Sequence, residues 1–288
     1  MSSKTISKDL TVGNLWKQLL LFSLPFMASN ALQVLYSTID MVIVGQFVGT
    51  AGLSAVSQSS LIVNFAVMVM FGFSNSGQVL ISQALGAGKK REMSEVIGTL
   101  FTFMAAIAAV LSVVLLVFCR HILTLIKVPE DAYEMAVDYL IISAAGLIFT
   151  AGYNLVSAIL RGMGDAKRPL LFIGIASAAN LILDLLFTGL WGWGVAGAAW
   201  ATIIGQAVSF IFSLVYLYKR KESFGFNFRP KSFKPNFRYL GMMTNLGVPM
   251  AIQSAFINIS MLFVSSMINE VGVVASATFG VGDRKSVV

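Results

Sequence analysis

"LLLFSLPFMASNALQVLYSTIDMVIVGQFVG", residues 19–49, is an apolar run that holds a single acid, Asp40. A helix that crosses a bilayer needs about 20 mostly apolar residues, and this run supplies them. A charge at the centre of such a span costs roughly 2.5–3.5 kcal/mol on insertion scales, so an acid there calls for a specific partner or task. Ser29, Gln33, Tyr36 and Asp40 follow one another at intervals of three or four, which puts them on one helix face. The stretch therefore predicts a membrane helix with a polar stripe that turns away from lipid.

The rest of the chain has the same character. Of its 288 residues, 57% are hydrophobic and only 11% are charged, and mean hydropathy is +0.83. Soluble domains carry roughly 25% charged residues. Such a chain cannot cover a globular surface with polar groups, so the lipid bilayer is its solvent. Seven apolar segments stand out, at 15–44, 53–80, 96–118, 134–160, 169–190, 194–218 and 243–269. The reading is an all-α multi-pass membrane protein with about seven transmembrane helices.

The connecting stretches set the orientation. "SQALGAGKKREMSE" (82–95), "RGMGDAKRP" (161–169) and "KRKESFGFNFRPKSFKPNFR" (219–238) lie on the same side as the N-terminus. That side collects sixteen Lys and Arg, whereas the three loops on the other carry only Arg120 and Lys127. The positive-inside rule then makes residues 1–14 a cytoplasmic segment and 219–240 a basic cytoplasmic loop. The net charge of +7 is thereby explained by loops, without nucleic acid.

A second feature is a repeat. "MMTNLGVPMAIQSAFINISMLFVSSMINEVG" (242–272) resembles the opening stretch, with Pro249 standing 224 residues after Pro25. Residues 15–218 are predicted as one six-helix lobe. Residues 241–288 are then the first helix of a truncated second lobe, and the even count makes the two copies parallel.

Within the spans, a second acid, Asp184, shares a face with Ser177, Asn180 and Thr188. Thr202, Gln206 and Ser209 form another stripe, and Tyr139, Ser143, Asn154 and Ser157 supply polar groups in the fourth segment. Single Ser, Thr and Asn residues in spans most often join helices to one another. Two mid-span aspartates point instead to a coupling ion, either Na⁺ held by hard oxygen donors or H⁺. Other motifs carry little. "GWGVAG" (192–197) matches a dinucleotide fingerprint but follows no strand, and "GAGKK" (86–90) lacks the P-loop spacing. The single Cys119 can form no internal disulfide, and the lone His121 makes no metal site. No cofactor and no enzyme chemistry are expected.

The blocks "LPFMASNALQVLYSTIDMVIVGQFVGTAGLSAVS", "SQALGAGKK", "ILRGMGDAKRPL", "NLILDLLFTGLWGWGVAGAAWATIIGQ" and "MINEVGVVASATFGVG" resemble the multidrug and toxic compound extrusion family, over about residues 12–282. The resemblance implies a prokaryotic twelve-helix exporter of two six-helix lobes, here C-terminally truncated. It implies antiport of Na⁺ or H⁺ against organic, often cationic, drugs by alternating access, in the cell membrane and with no obligate protein partner. It places the cation site on Asp40, Asn180, Asp184 and Thr202, with Tyr139 and Asn154 at supporting positions. Gln33, Tyr36 and Gln206 extend that polar network on their own stripes. Some family members carry an acid within helix seven. Here Gln253 and Asn258 stand there and Glu270 lies at the helix end, which favours a first-lobe site. Two alternatives stay open: a lipid-linked oligosaccharide flippase of the same superfamily, against which the lack of mid-span Lys or Arg argues, and a non-transporting fragment.

Overall fold

Each predicted apolar segment forms a helix, and nearly every one outruns its apolar core. The computed structural model describes residues 15–221, 226–276 and 278–279. The predicted cytoplasmic segment 1–14 and the closing stretch 280–288 lie outside the described residues. The helices are α1 (Leu15–Phe47), α2 (Thr50–Gly86), α3 (Lys90–Leu125), α4 (Glu130–Gly162), α5 (Lys167–Asp184), α6 (Gly194–Lys219) and α7 (Phe237–Asn269). A π-helical segment, Leu185–Leu190, continues α5, and a 3₁₀ turn, Pro230–Phe233, precedes α7.

The long polar loop expected at 82–95 shrinks to a short turn, because the helices continue past the apolar stretch. Hydropathy marks only what lies in hydrocarbon. Helical hydrogen bonding persists beyond it, helped by pairs one turn apart such as Lys89–Glu92 at 2.9 Å and Arg91–Glu95 at 3.2 Å. Glu130 and Asp131 occupy the first turn of α4, where the helix dipole favours acids. Among the described residues six helices are long and apolar enough to cross a bilayer. Among the described residues α7 contributes a shorter apolar stretch, Ile259–Asn269. Its likeness to α1 nevertheless extends to geometry: both helices have 33 residues and one internal proline.

Helix α4 is the axle of the bundle. It packs against α2, α3 and α6, while α5 joins α6 to α1, and α7 lies along α2. Buried Ala136, Ala144, Gly146, Ala151 and Gly152 give α4 a slim profile that lets its neighbours approach closely. The far side of α3 presents Val110, Val113, Val117 and Phe118 outward, as a lipid-facing surface requires.

The basic segment before α7 is docked on the bundle. Phe226, Phe228 and Phe233 surround Phe101 of α3, with ring centroids 6.0, 6.3 and 5.5 Å away. Thr102 Oγ1 donates to the Phe233 carbonyl at 2.6 Å. Asn236 then caps α7 by accepting from the Arg238 amide at 3.0 Å, so the helix starts at Phe237.

Candidate cation site

Asp40 and Asp184 come together. Asp40 sits on α1 with 7% of its surface exposed, and Asp184, the last residue of α5, is 0% exposed. Helix α6 supplies the link. Thr202 Oγ1 donates to Asp40 Oδ2 at 3.2 Å and accepts from Asn180 Nδ2 at 3.4 Å. Asp184 lies within interaction range of both Asp40 and Asn180. The four residues expected to form the site therefore meet at one place, contributed by three helices.

Local sequence explains the meeting. Asn180 and Asp184 are one turn apart on α5, so their side chains project from the same face. Gly205, three residues after Thr202, lies against the backbone of α5: a Cβ there would stand 3.0 Å from the Ala176 carbonyl and 3.2 Å from Asn180 Cβ. Any side chain would push α6 away from Asn180. Immediately after Asp184 the α-helical register gives way to the π segment, with a backbone bond from the Trp191 amide to the Leu186 carbonyl at 2.8 Å. Single π turns inside helices gather at functional sites. Nothing in the sequence announced this one.

The surroundings divide the supporting residues. Gln206 Nε2 donates to the Tyr36 hydroxyl at 3.3 Å. Tyr36 is also within electrostatic range of Asp40, Tyr139 and Tyr153, so Tyr139 borders the cluster. Gln33 is half-buried on α1 and Asn154 is buried in α4. Among the described residues no hydrogen bond joins either of them to the cluster.

The donor set suits a small hard cation. Both oxygens of Asp184 are buried against Asp40 and Asn180, and Oδ1 of Asn180 is buried without a hydrogen bond to satisfy it. Buried acceptors left in this way are costly. Two adjacent carboxylates also repel each other where little water screens them. A Na⁺ ion, or a proton shared between the acids, relieves both penalties together.

A second polar cluster escaped the sequence reading. Gln58 of α2 donates to Ser276 Oγ at 2.8 Å and accepts from Ser265 Oγ of α7, while Ser54 Oγ donates to Ser276 at 2.6 Å. All four side chains are fully buried. Asn269 Nδ2 donates to the Ile126 carbonyl at 2.8 Å, and Lys127 pairs with Glu270. The cluster ties α7 to the first lobe at the end opposite the basic loops. Its only trace in the sequence is the one-turn spacing of Ser54 and Gln58.

Membrane-spanning helices wrapped around a paired carboxylate are the build of an integral membrane transporter. Comparison with known proteins makes the class specific. The sequence profile of the MatE family matches residues 25–186, and the chain belongs to that family, the multidrug and toxic compound extrusion transporters. Among curated relatives, the probable multidrug resistance protein YpnP of Bacillus subtilis is 33% identical over 96% of this chain and 61% of its own length. YoeA of the same organism, also a probable multidrug resistance protein, is 30% identical over 93% of the chain and 59% of its length. The chain thus spans about three fifths of the relatives it matches. A solved multidrug resistance MATE transporter in an inward-facing conformation superposes with a TM-score of 0.83 at 24% identity, over 88% of this chain and 58% of that one. An outward-facing conformation also gives 0.83, at 23% identity, over 99% and 68%. At these identities the likeness establishes the fold.

Proposed function

We propose that this chain provides the cation-coupling lobe of a secondary multidrug exporter. In this reading Na⁺ or H⁺ enters the Asp40–Asp184 site as an organic, often cationic, drug leaves, and the two lobes alternate in their access to either side of a prokaryotic cell membrane. The single observation that carries the proposal is the burial of the two aspartates side by side, with Asn180 beside them. Family membership supports export as the task, and both Bacillus relatives are probable multidrug resistance proteins. The second lobe would supply the other wall of the drug cleft, with the N-terminus and the basic loops on the cytoplasmic side.

Coupling requires that the cation be bound differently in the two access states, since a ligand shifts an equilibrium only by its differential affinity. Asp40 and Asp184 sit on different helices, so a shift of α1 against α5 changes their separation and with it the affinity for a cation. Neutralising one acid removes this difference. In a two-lobe transporter carrying these residues, Asp40→Asn should insert normally and abolish drug efflux from vesicles with an imposed Na⁺ or H⁺ gradient. Efflux equal to that of the unaltered transporter would sink the assignment.

A further inference from the structure

Beside the docked linker lies a cleft of about 590 Å³, lined by Ser94 and Glu95 of α3, by Lys231, Ser232, Lys234 and Pro235, and by Asn236 and Phe237 at the start of α7. We propose that this cleft seats the phosphate headgroup of an anionic phospholipid. The inference concerns a different end of the molecule from the cation site and does not depend on transport.

Charge is the first argument. Residues 219–238 hold seven Lys and Arg and one acid, Glu222, which lies outside the described residues. Among the described residues Lys231 and Lys234 form no ion pair. The acid in the cleft is already occupied: Glu95 pairs with Arg91 at 3.2 Å and accepts from Asn236 Nδ2 at 3.0 Å. What remains free to meet an anion is two ammonium groups and the hydroxyls of Ser94 and Ser232.

The second argument is that these groups are held in place. The ring cluster around Phe101 fixes the linker, and Gly98 has no side chain to block the Ser232 carbonyl that lies against it. Lys231 and Lys234 thus project from a short, anchored 3₁₀ turn and the residue that follows it. Little ordering is required of the backbone on binding.

Depth is the third. The apolar run of α3 begins at residue 96, directly after Ser94 and Glu95. Phe237 lies six residues before the apolar run of α7, roughly 9 Å along the axis. Both place the cleft at headgroup level. Phe237 is 80% exposed at its edge. Basic clusters next to the ends of membrane helices attract anionic lipid, with each Lys adding measurably to the binding.

The test uses the purified, delipidated chain in a neutral detergent. Its thermal midpoint is followed as dioleoyl phosphatidylglycerol, dioleoyl phosphatidylcholine or inorganic phosphate is added. Phosphatidylglycerol should raise the midpoint saturably, while the other two leave it unmoved. In Lys231→Gln/Lys234→Gln the phosphatidylglycerol concentration for half the effect should rise roughly tenfold or more. Lys167→Gln/Lys219→Gln removes two charges from the same side of the molecule but outside the cleft, and should stay within about twofold of the unaltered chain. Equal stabilisation by phosphatidylcholine, stabilisation by inorganic phosphate, no stabilisation at all, or an equal loss in both double variants each overturns the proposal.

Discussion

Thr202 on α6 donates a 3.2 Å hydrogen bond to Asp40 on α1 across 162 residues of chain, and receives one from Asn180 on α5. One hydroxyl therefore holds three helices in register at the paired acids. Thr202→Val keeps the shape and removes both bonds. Hydrogen bonds between membrane helices contribute on the order of 1 kcal/mol each, so a loss of about 1–2 kcal/mol is expected in thermal or denaturant unfolding. Thr202→Ser should restore most of it.

Cation binding should appear as stability. A cation that binds only the folded state stabilises it by about 2.7 kcal/mol at a hundredfold excess over its dissociation constant. With choline chloride as the ionic-strength control, added NaCl should raise the unfolding midpoint of the chain. Asp184→Asn should abolish that response. A response to acidification in place of sodium selects the proton as the coupling ion. A midpoint indifferent to both contradicts a cation site.

Gly205 controls the spacing behind the site. Gly205→Val sets a branched side chain against the Ala176 carbonyl and Asn180 Cβ, at 3.0 and 3.2 Å from its Cβ position. Overpacking of this kind costs typically 1–3 kcal/mol, and here it also separates Asn180 from Thr202. The sodium or acid response should weaken together with stability, and Gly205→Ala should show a smaller version of both effects.

Near the start of α2, Gln58→Leu leaves the Ser265 hydroxyl buried without its partner and removes one of the two bonds to Ser276. A loss of roughly 1–3 kcal/mol is expected. The loss should be local. After trypsin cuts the basic linker, the α7 fragment of the unaltered chain should co-purify with the first six helices, whereas that of Gln58→Leu should separate.

Docking of the linker can be checked in the same way. Gly98→Val drives a side chain into the Ser232 carbonyl and should lift the 3₁₀ turn off α3. Cleavage after Lys231 should become several-fold faster, with the midpoint of the six-helix bundle little changed.

Much of this architecture was legible because lipid imposes a simple rule: about 20 apolar residues per crossing, with any charge inside them needing a reason. Asp40 and Asp184 stood out on that rule alone, and three- and four-residue spacing assigned them to polar stripes that proved buried. That the two acids lie together was implied only by the family resemblance, because periodicity places residues on a helix face but says nothing of which face meets which. The helix ends were misjudged for a related reason: polar residues such as Lys90 and Glu92 leave the hydrocarbon without leaving the helix. The linker read as a basic loop because its charges were conspicuous, while Phe226, Phe228 and Phe233 were scattered among them and their partner, Phe101, lay more than a hundred residues away. Gln58 was passed over because a lone amide in a Ser- and Ala-rich stretch gives no sign that its partners sit on a helix more than two hundred residues on.

Those partners separate two kinds of boundary. By sequence likeness the repeated stretch begins with α7, after the six helices α1 to α6. By hydrogen bonding the first unit ends later, since Ser54 and Gln58 find their acceptors and donors on and just beyond α7. A six-helix piece cut before α7 would expose those groups on an apolar flank. The hydrogen-bonded unit is then one helix longer than the stretch that precedes the repeat, and α7 belongs to it as firmly as α2 does.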